Sequence, residues 1–255
     1  MPLRTVLGLE HIAAIEIEGG TLDARVIVMD EYDAAWWDEH VQRYINELPF
    51  ERADQKWIWP RILATRALVA DLLLQQPIAY VVEVLDAAGV FRPAVMLMLV
   101  DAYPYLPKHD LASVFVWYLS PAPRNYFVEK LQMPPGKVPD SKELMRVGMD
   151  VALTESYNRR LTGRLGLHAA PKGGDKLLDW YKSPVEGDRQ RRGGGMKPLP
   201  PTSALPPGMR NAIGRVKLII SGSLRTRNDG RYFYHDETTA FVASRSLDPY
   251  RRSGA

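Results

Sequence analysis

Residues 141–170, SKELMRVGMDVALTESYNRRLTGRLGLHAA, decide the fold: a long helix hands over to a strand across a short joint. Ser141 is the expected N-cap, and Glu143 sets a carboxylate in the first turn, where the helix dipole favours it. Leu144, Val147, Val151 and Thr154, with Ala152, Leu153 and Tyr157, recur at helical spacing, so one face is buried. Arg159 and Arg160 fall in the last turn and Gly163 ends a helix of about six turns. RLGLHAA then reads as a strand.

Outward from this unit, the pattern alternates strands and helices. Residues 113–120 form a strand around VFVWYLS, while Ile78–Leu85 and Val95–Val100 flank an Asp86–Gly89 turn as an antiparallel hairpin. At the amino end Leu9–Glu18 and Thr21–Met29 surround Gly19-Gly20 as a hairpin. Glu31–Leu48 predicts an amphipathic helix closed by Pro49, with Trp36 and Trp37 on its apolar stripe. Ala53–Leu74 predicts a second helical stretch, carrying Trp57 and Trp59, with Pro60 starting a new segment. Residues 102–110 read as a proline and aromatic loop, and 126–140 as a link with four prolines and glycines. After residue 170 come a turn at Pro171–Gly174 and a short helix, Asp175–Lys182. Residues 197–207 read as extended, Val216–Ser221 and Arg231–Tyr234 as strands, and Asp236 as the cap of a last helix reaching Ala243. The polar end, 248–255, reads as frayed.

Three residue patterns together resemble the GNAT acetyltransferase superfamily: Tyr157-x-x-x-Leu161-x-Gly163-Arg164, then Gly166-Leu-His-Ala-Ala-Pro171, then the aromatic pair Trp180-Tyr181. The resemblance implies an α/β fold, one GNAT-like domain with a mixed, mostly antiparallel sheet flanked by helices. Its halves would be 1–110 with the acceptor-side helices and 111–182 with the acyl-CoA core, followed by an insertion-rich part, 183–255. It implies a fourth strand (113–119) splayed from a fifth (164–169), with the pantetheine of acetyl-CoA in the splay and the pyrophosphate at the start of the intervening helix. The cofactor-binding residues would be Leu119, Arg146, Val147, Gly148, Met149, Leu167 and His168. The family's loop is Gln or Arg, two residues, Gly, one residue, Gly or Ala. The best register puts Glu143, Arg146 and Gly148 at those positions, and only Gly148 fits. Glu143 has the wrong sign for phosphate, whereas the Arg146 guanidinium can bind phosphate bidentately. Tyr181 takes the place of the phenol that protonates the departing thiolate, with Gly195-Met196 as the glycine and apolar step that follows it. The alternative for Tyr181 is a packed helix face.

The chain has 255 residues, 46% hydrophobic and 25% charged, which suits a globular protein with a sizeable core. It has no Cys, which removes disulfides, thiolate metal sites and thiol nucleophiles. The start of the sequence, MPLRTVLGLE, lacks a continuous apolar h-region and no run is long enough to span a bilayer, so a cytoplasmic protein off the membrane is expected. The formal charge is +3 and the pI about 9.0, with the surplus concentrated between Lys182 and Arg231. That stretch is either solvated surface or an anion-contacting segment; nucleic acid is the less expected partner.

The five histidines have no paired spacing, and no metal motif occurs. In the arrangement the resemblance implies, His168 follows the strand whose edge faces the thioester; otherwise it reads as a structural histidine. Glu83 interrupts an apolar strand. It faces water, or, if it faces a cleft, it is a general base. The sequence therefore supports an acetyl-CoA-dependent N-acyltransferase acting on an amine of a small molecule or peptide, with Tyr181 as acid and Glu83 as base. A GNAT-like binding module without turnover is the alternative, and a basic nucleic-acid contact module the third reading.

Overall fold

A computed structural model describes residues 9–73, 77–188, 191–206 and 228–251, with backbone alone over 67–73. The expected strand at Val216–Ser221 lies outside the described residues, as do 252–255. In chain order the elements are β1 (Ala14–Ile17), β2 (Gly20–Val28), α1 (Glu31–His40), α2 (Gln42–Asn46), α3 (Trp59–Leu73), β3 (Pro77–Leu85), β4 (Phe91–Tyr105), β5 (Lys108–Pro121), α4 (Ser141–Asn158), β6 (Leu165–His168), α5 (Gly174–Lys182), β7 (Lys197–Pro198), β8 (Tyr232–His235) and α6 (Glu237–Arg245). Among the described residues the strands form one sheet in the order β1-β2-β3-β4-β5-β6-β8-β7. Every pair is antiparallel except β5 with β6. This mixed, mostly antiparallel sheet flanked by helices is the architecture implied by the sequence.

The two faces are covered by different helices, and side-chain alternation along β5 tells them apart. Tyr118 and Ser120 point to the side of Trp57 and Asp54, where Trp59 and Trp37 pack in edge contact with each other at 6.5 Å. Both of these indoles are fully buried, joining α3 to α1. Leu119 and Val95 point the other way, against α4. A Cβ on Gly148 would lie 2.5 Å from Leu119 Cδ1 and 3.2 Å from Val95 Cγ1, so the glycine lets α4 approach the sheet closely.

Several boundaries differ from the sequence reading, each for a local reason. Asp140, not Ser141, caps α4: its carboxylate accepts the Lys142 N–H at 2.7 Å, one residue ahead of the serine. The helix ends at Asn158 because Arg160, Thr162 and Gly163 adopt left-handed φ values of 60°, 55° and 81°. Residues 53–56 form turns, and α3 begins only at Trp59, with Pro60 in its first turn. Residues 102–105 and 108–110, expected as loop, extend β4 and β5. Register shifts around Ala102 and Tyr105 let Pro104 pair with Ala112, the kind of irregularity at which a strand tolerates proline. The expected frayed end is tied down through Arg251, which donates to Asp150 at 2.5 Å and to the Glu10 carbonyl at 2.7 Å.

Candidate functional site

The sheet comes apart where β5 and β6 stop pairing. Their last shared rung is Val116 with Leu167, yet β5 runs on to Pro121. One cause lies inside β5. Met98 pairs with Tyr118 while Leu99 pairs with Val116, so Trp117 is an extra residue, a β-bulge at the point of divergence. Bulges raise local twist and end pairing. The second cause lies after β6, where the chain is drawn towards β8. The Ala169 N–H donates to the Arg231 carbonyl at 2.8 Å, and the Arg231 guanidinium holds the carbonyls of Ala169 and Ala170 at 2.9 and 3.0 Å.

The result is a cavity of about 150 Å³ lined by Trp57, Phe115, Val116, Trp117, Tyr118, His168, Ala170 and Tyr232. Along one wall, the β6-facing edge of β5 beyond Val116 has no strand partner among the described residues. Such an edge presents backbone donors and acceptors that an extended, amide-bearing ligand can satisfy. The remaining walls are aromatic. Trp57 meets Tyr118 edge-on at 4.9 Å, and Trp117 stacks beside Tyr118 at 5.9 Å.

The loop carrying Trp57 is fixed by a buried polar cluster. Arg52 binds Asp54 through Nε at 2.8 Å and Nη2 at 2.5 Å and donates to the Pro121 carbonyl at 2.7 Å, while Ser120 Oγ donates to Asp54 at 2.6 Å. A two-pronged arginine–carboxylate pair is geometrically demanding, so it locks the 52–57 turn to the end of β5. His168 stands on the opposite side. Its Nε2 lies 3.0 Å and 3.2 Å from the two Asp229 oxygens, and its ring packs on Tyr232 at 4.5 Å.

The residues named from the sequence do not all gather here. His168 lines the cavity, Leu167 forms its last rung, and Leu119 stands on the open edge with Gly148 behind it. Val147 and Met149 are core residues of α4. Arg146 is buried: it donates to Glu143 at 2.6 Å and to Ser246 Oγ at 3.1 Å. Burial pushes the Glu143 carboxyl above its ordinary range, with Arg146 opposing the shift. Tyr181 lies behind β8, against Phe233 at 5.3 Å, and burial raises its phenol, which makes it a weaker acid. Residues 194–196 do fold back on it, as the Gly194 N–H donates to the Trp180 carbonyl and the Met196 N–H to the Tyr181 carbonyl, each at 2.8 Å. Glu83 accepts from Arg25 Nε at 2.5 Å. It stands four residues along β3 from Ala79, which aligns with Met98 and Tyr118, and two strands over. That places it about 16 Å from the cavity by strand geometry.

Trp117, Tyr232 and Asp229 are site residues the sequence reading did not single out, whereas Trp57 was read on the acceptor-side helical stretch, as an acceptor-pocket wall or core. Only Trp117 had a local signal, its place in VFVWYLS; a bulge has no sequence mark of its own. Asp229 follows His168 by 61 residues and is brought in only by tertiary structure.

As a test of the implied acetyl-CoA, the cavity suits the acyl end and its amide arm, whereas the start of α4 does not suit the diphosphate. Asp140 already fills that helix start with a carboxylate, and the Arg146 guanidinium is taken up by Glu143.

No family model and no curated protein matches the chain. Among solved structures it is similar to a tyrosine-to-phenylalanine mutant of the toxin AtaT, bound to the C-terminus of the antitoxin AtaR and acetyl-CoA. The match has 12% identity over 85% of this chain and 95% of that one, with a TM-score of 0.40. At that level the likeness identifies no activity.

Proposed function

We propose that the chain is an N-acyltransferase that takes an acyl group from a thioester lying along the open edge of β5 and passes it to an amine entering beside Trp57. The observation that carries this reading is the edge beyond Val116, unpaired among the described residues and facing an aromatic cavity that also holds the His168–Asp229 pair. An amide-bearing arm completes the interrupted ladder, and the aromatic walls exclude water that would hydrolyse the thioester. Fixing the arm on a rigid strand holds the carbonyl for attack, which is worth several orders of magnitude in rate.

His168 serves as the proton-handling group. As the amine nitrogen bonds to the acyl carbon and the carbon–sulfur bond breaks, the imidazole takes the amine proton. It then returns a proton to the sulfur, so the balance closes with amide and free thiol. Asp229, within 3.0 Å, stabilises the transient imidazolium. Tyr181 and Glu83 are left with supporting roles at a distance from the acyl carbon.

The test is thiol release from acetyl thioesters in the presence of a panel of polyamines and peptide amines, for the natural chain and for His168→Gln. Amine-dependent release, lowered about 100-fold in the variant with donor affinity kept, is the expected outcome. A chain that releases no thiol and binds no thioester is instead a GNAT-like interaction module.

A further inference from the structure

We infer that the donor is an acyl-pantetheine thioester without a nucleotide diphosphate, because the helix start that would hold a diphosphate carries the chain's own Asp140 carboxylate instead. This rests on the acyltransferase reading and narrows its substrate.

Topology fixes where the far end of the arm must go. β5 and β6 are parallel, and α4 connects them. The helix therefore runs back against the strands, and its first turn stands at their carboxyl ends, where the cleft opens. A diphosphate leaving the cleft there would need free backbone N–H groups, close backbone approach and uncompensated positive charge. Each of the three is curtailed in this turn. The Lys142 N–H is bound by the Asp140 carboxylate at 2.7 Å, and the Leu144 N–H by the Asp140 carbonyl at 3.0 Å. No glycine occurs between Gly136 and Gly148, so side chains cover the backbone throughout the turn. The one arginine in the first two turns, Arg146, has its guanidinium on Glu143 and Ser246, with its side chain 3% exposed.

The charges that remain point the same way. Asp140 puts a negative charge on the positive end of the helix dipole, the place a phosphate would occupy. Lys137 and Lys142 are exposed at this end, where water and salt screen their charge so that they hold an anion weakly. Inside the cleft the walls are aromatic and aliphatic apart from His168, a surface for an uncharged amide chain.

The experiment compares S-acetyl-pantetheine, its 4′-phosphate and acetyl-CoA by calorimetric titration, on the natural chain and on Asp140→Asn. Asparagine caps a helix as well as aspartate does, so the variant keeps the turn and removes only the charge. We expect acetyl-CoA to bind no more than threefold tighter than acetyl-pantetheine. Asp140→Asn should tighten acetyl-CoA severalfold and leave acetyl-pantetheine unchanged. Acetyl-CoA binding tenfold or more tighter than acetyl-pantetheine, with no response to Asp140→Asn, would overturn the inference and leave the acyltransferase reading standing. Binding of none of the three would overturn that reading, and the inference with it.

Discussion

The open edge of β5 and the outer side of α4 lie on the same crossover unit and treat polarity in opposite ways. Among the described residues, the edge beyond Val116 leaves backbone groups without a strand partner, beside walls that are aromatic and aliphatic apart from His168. On α4, Glu143, Arg146 and Asp150 are each at most 4% exposed and each is ion-paired. Arg251 reaches Asp150 from the carboxyl end, Ser246 meets Arg146, and Arg192 pairs with Glu16 nearby at 2.7 Å. The contrast teaches that charge near a helix start is not by itself a phosphate site. Here the charged side chains fasten the last segment of the chain to the core, and the polar groups left for a ligand belong to the backbone.

Arg251→Ala strikes the closed region hardest. It strands the Asp150 carboxylate, which is 1% exposed and already pushed above its ordinary range by burial. Removing one partner of a buried pair costs about 3–5 kcal/mol, read as a fall in the urea midpoint at unchanged slope. A loss below about 1 kcal/mol would mean that water reaches these charges, and the contrast with the cleft would collapse.

His235 sharpens the same region through pH. It is fully buried, lines a small pocket with Arg146 and Asp150, and desolvation lowers its pKa from 6.5 to about 4. Below pH 6.5 the unfolded chain takes up a proton that the folded ring refuses. Stability from this group is therefore whole above pH 6.5 and is lost as pH falls towards 4, by up to about 3 kcal/mol. Unfolding free energies of the natural chain and His235→Gln should differ in slope across that window, and parallel curves would show the ring to be solvated.

How much of this was legible in the sequence follows from how local each feature is. The α4–β6 unit was readable because its periodicity, its glycine and its strand lie within thirty consecutive residues. Its N-cap was misplaced by one residue, since Asp140 and Ser141 are both good caps and only geometry shows which carboxylate or hydroxyl reaches the N–H. The burial of Arg146 was not legible. Its partners Glu143 and Ser246 are 3 and 100 residues away, and the second is joined to it only by packing. The same holds for Asp229 beside His168. The splay was implied by resemblance, while its physical causes, the Trp117 bulge and the Arg231 bonds, appear only in three dimensions.

Gly148→Ala carries the smallest effect and bears on the edge itself. The new methyl would displace Leu119, the flexible end of a half-buried side chain, at a cost of about 1 kcal/mol. Because Leu119 stands on the open edge, thioester affinity should fall by more than stability does. Equal losses would mean that the edge is not where the ligand lies.

The most direct measurement is the backbone amide spectrum of the chain titrated with S-acetyl-pantetheine. The account predicts the largest shifts, and slowed hydrogen exchange, at residues 117–120 of β5, with changes at His168 and little at residues 141–146. Shifts centred on 141–146, or none along β5, would contradict it.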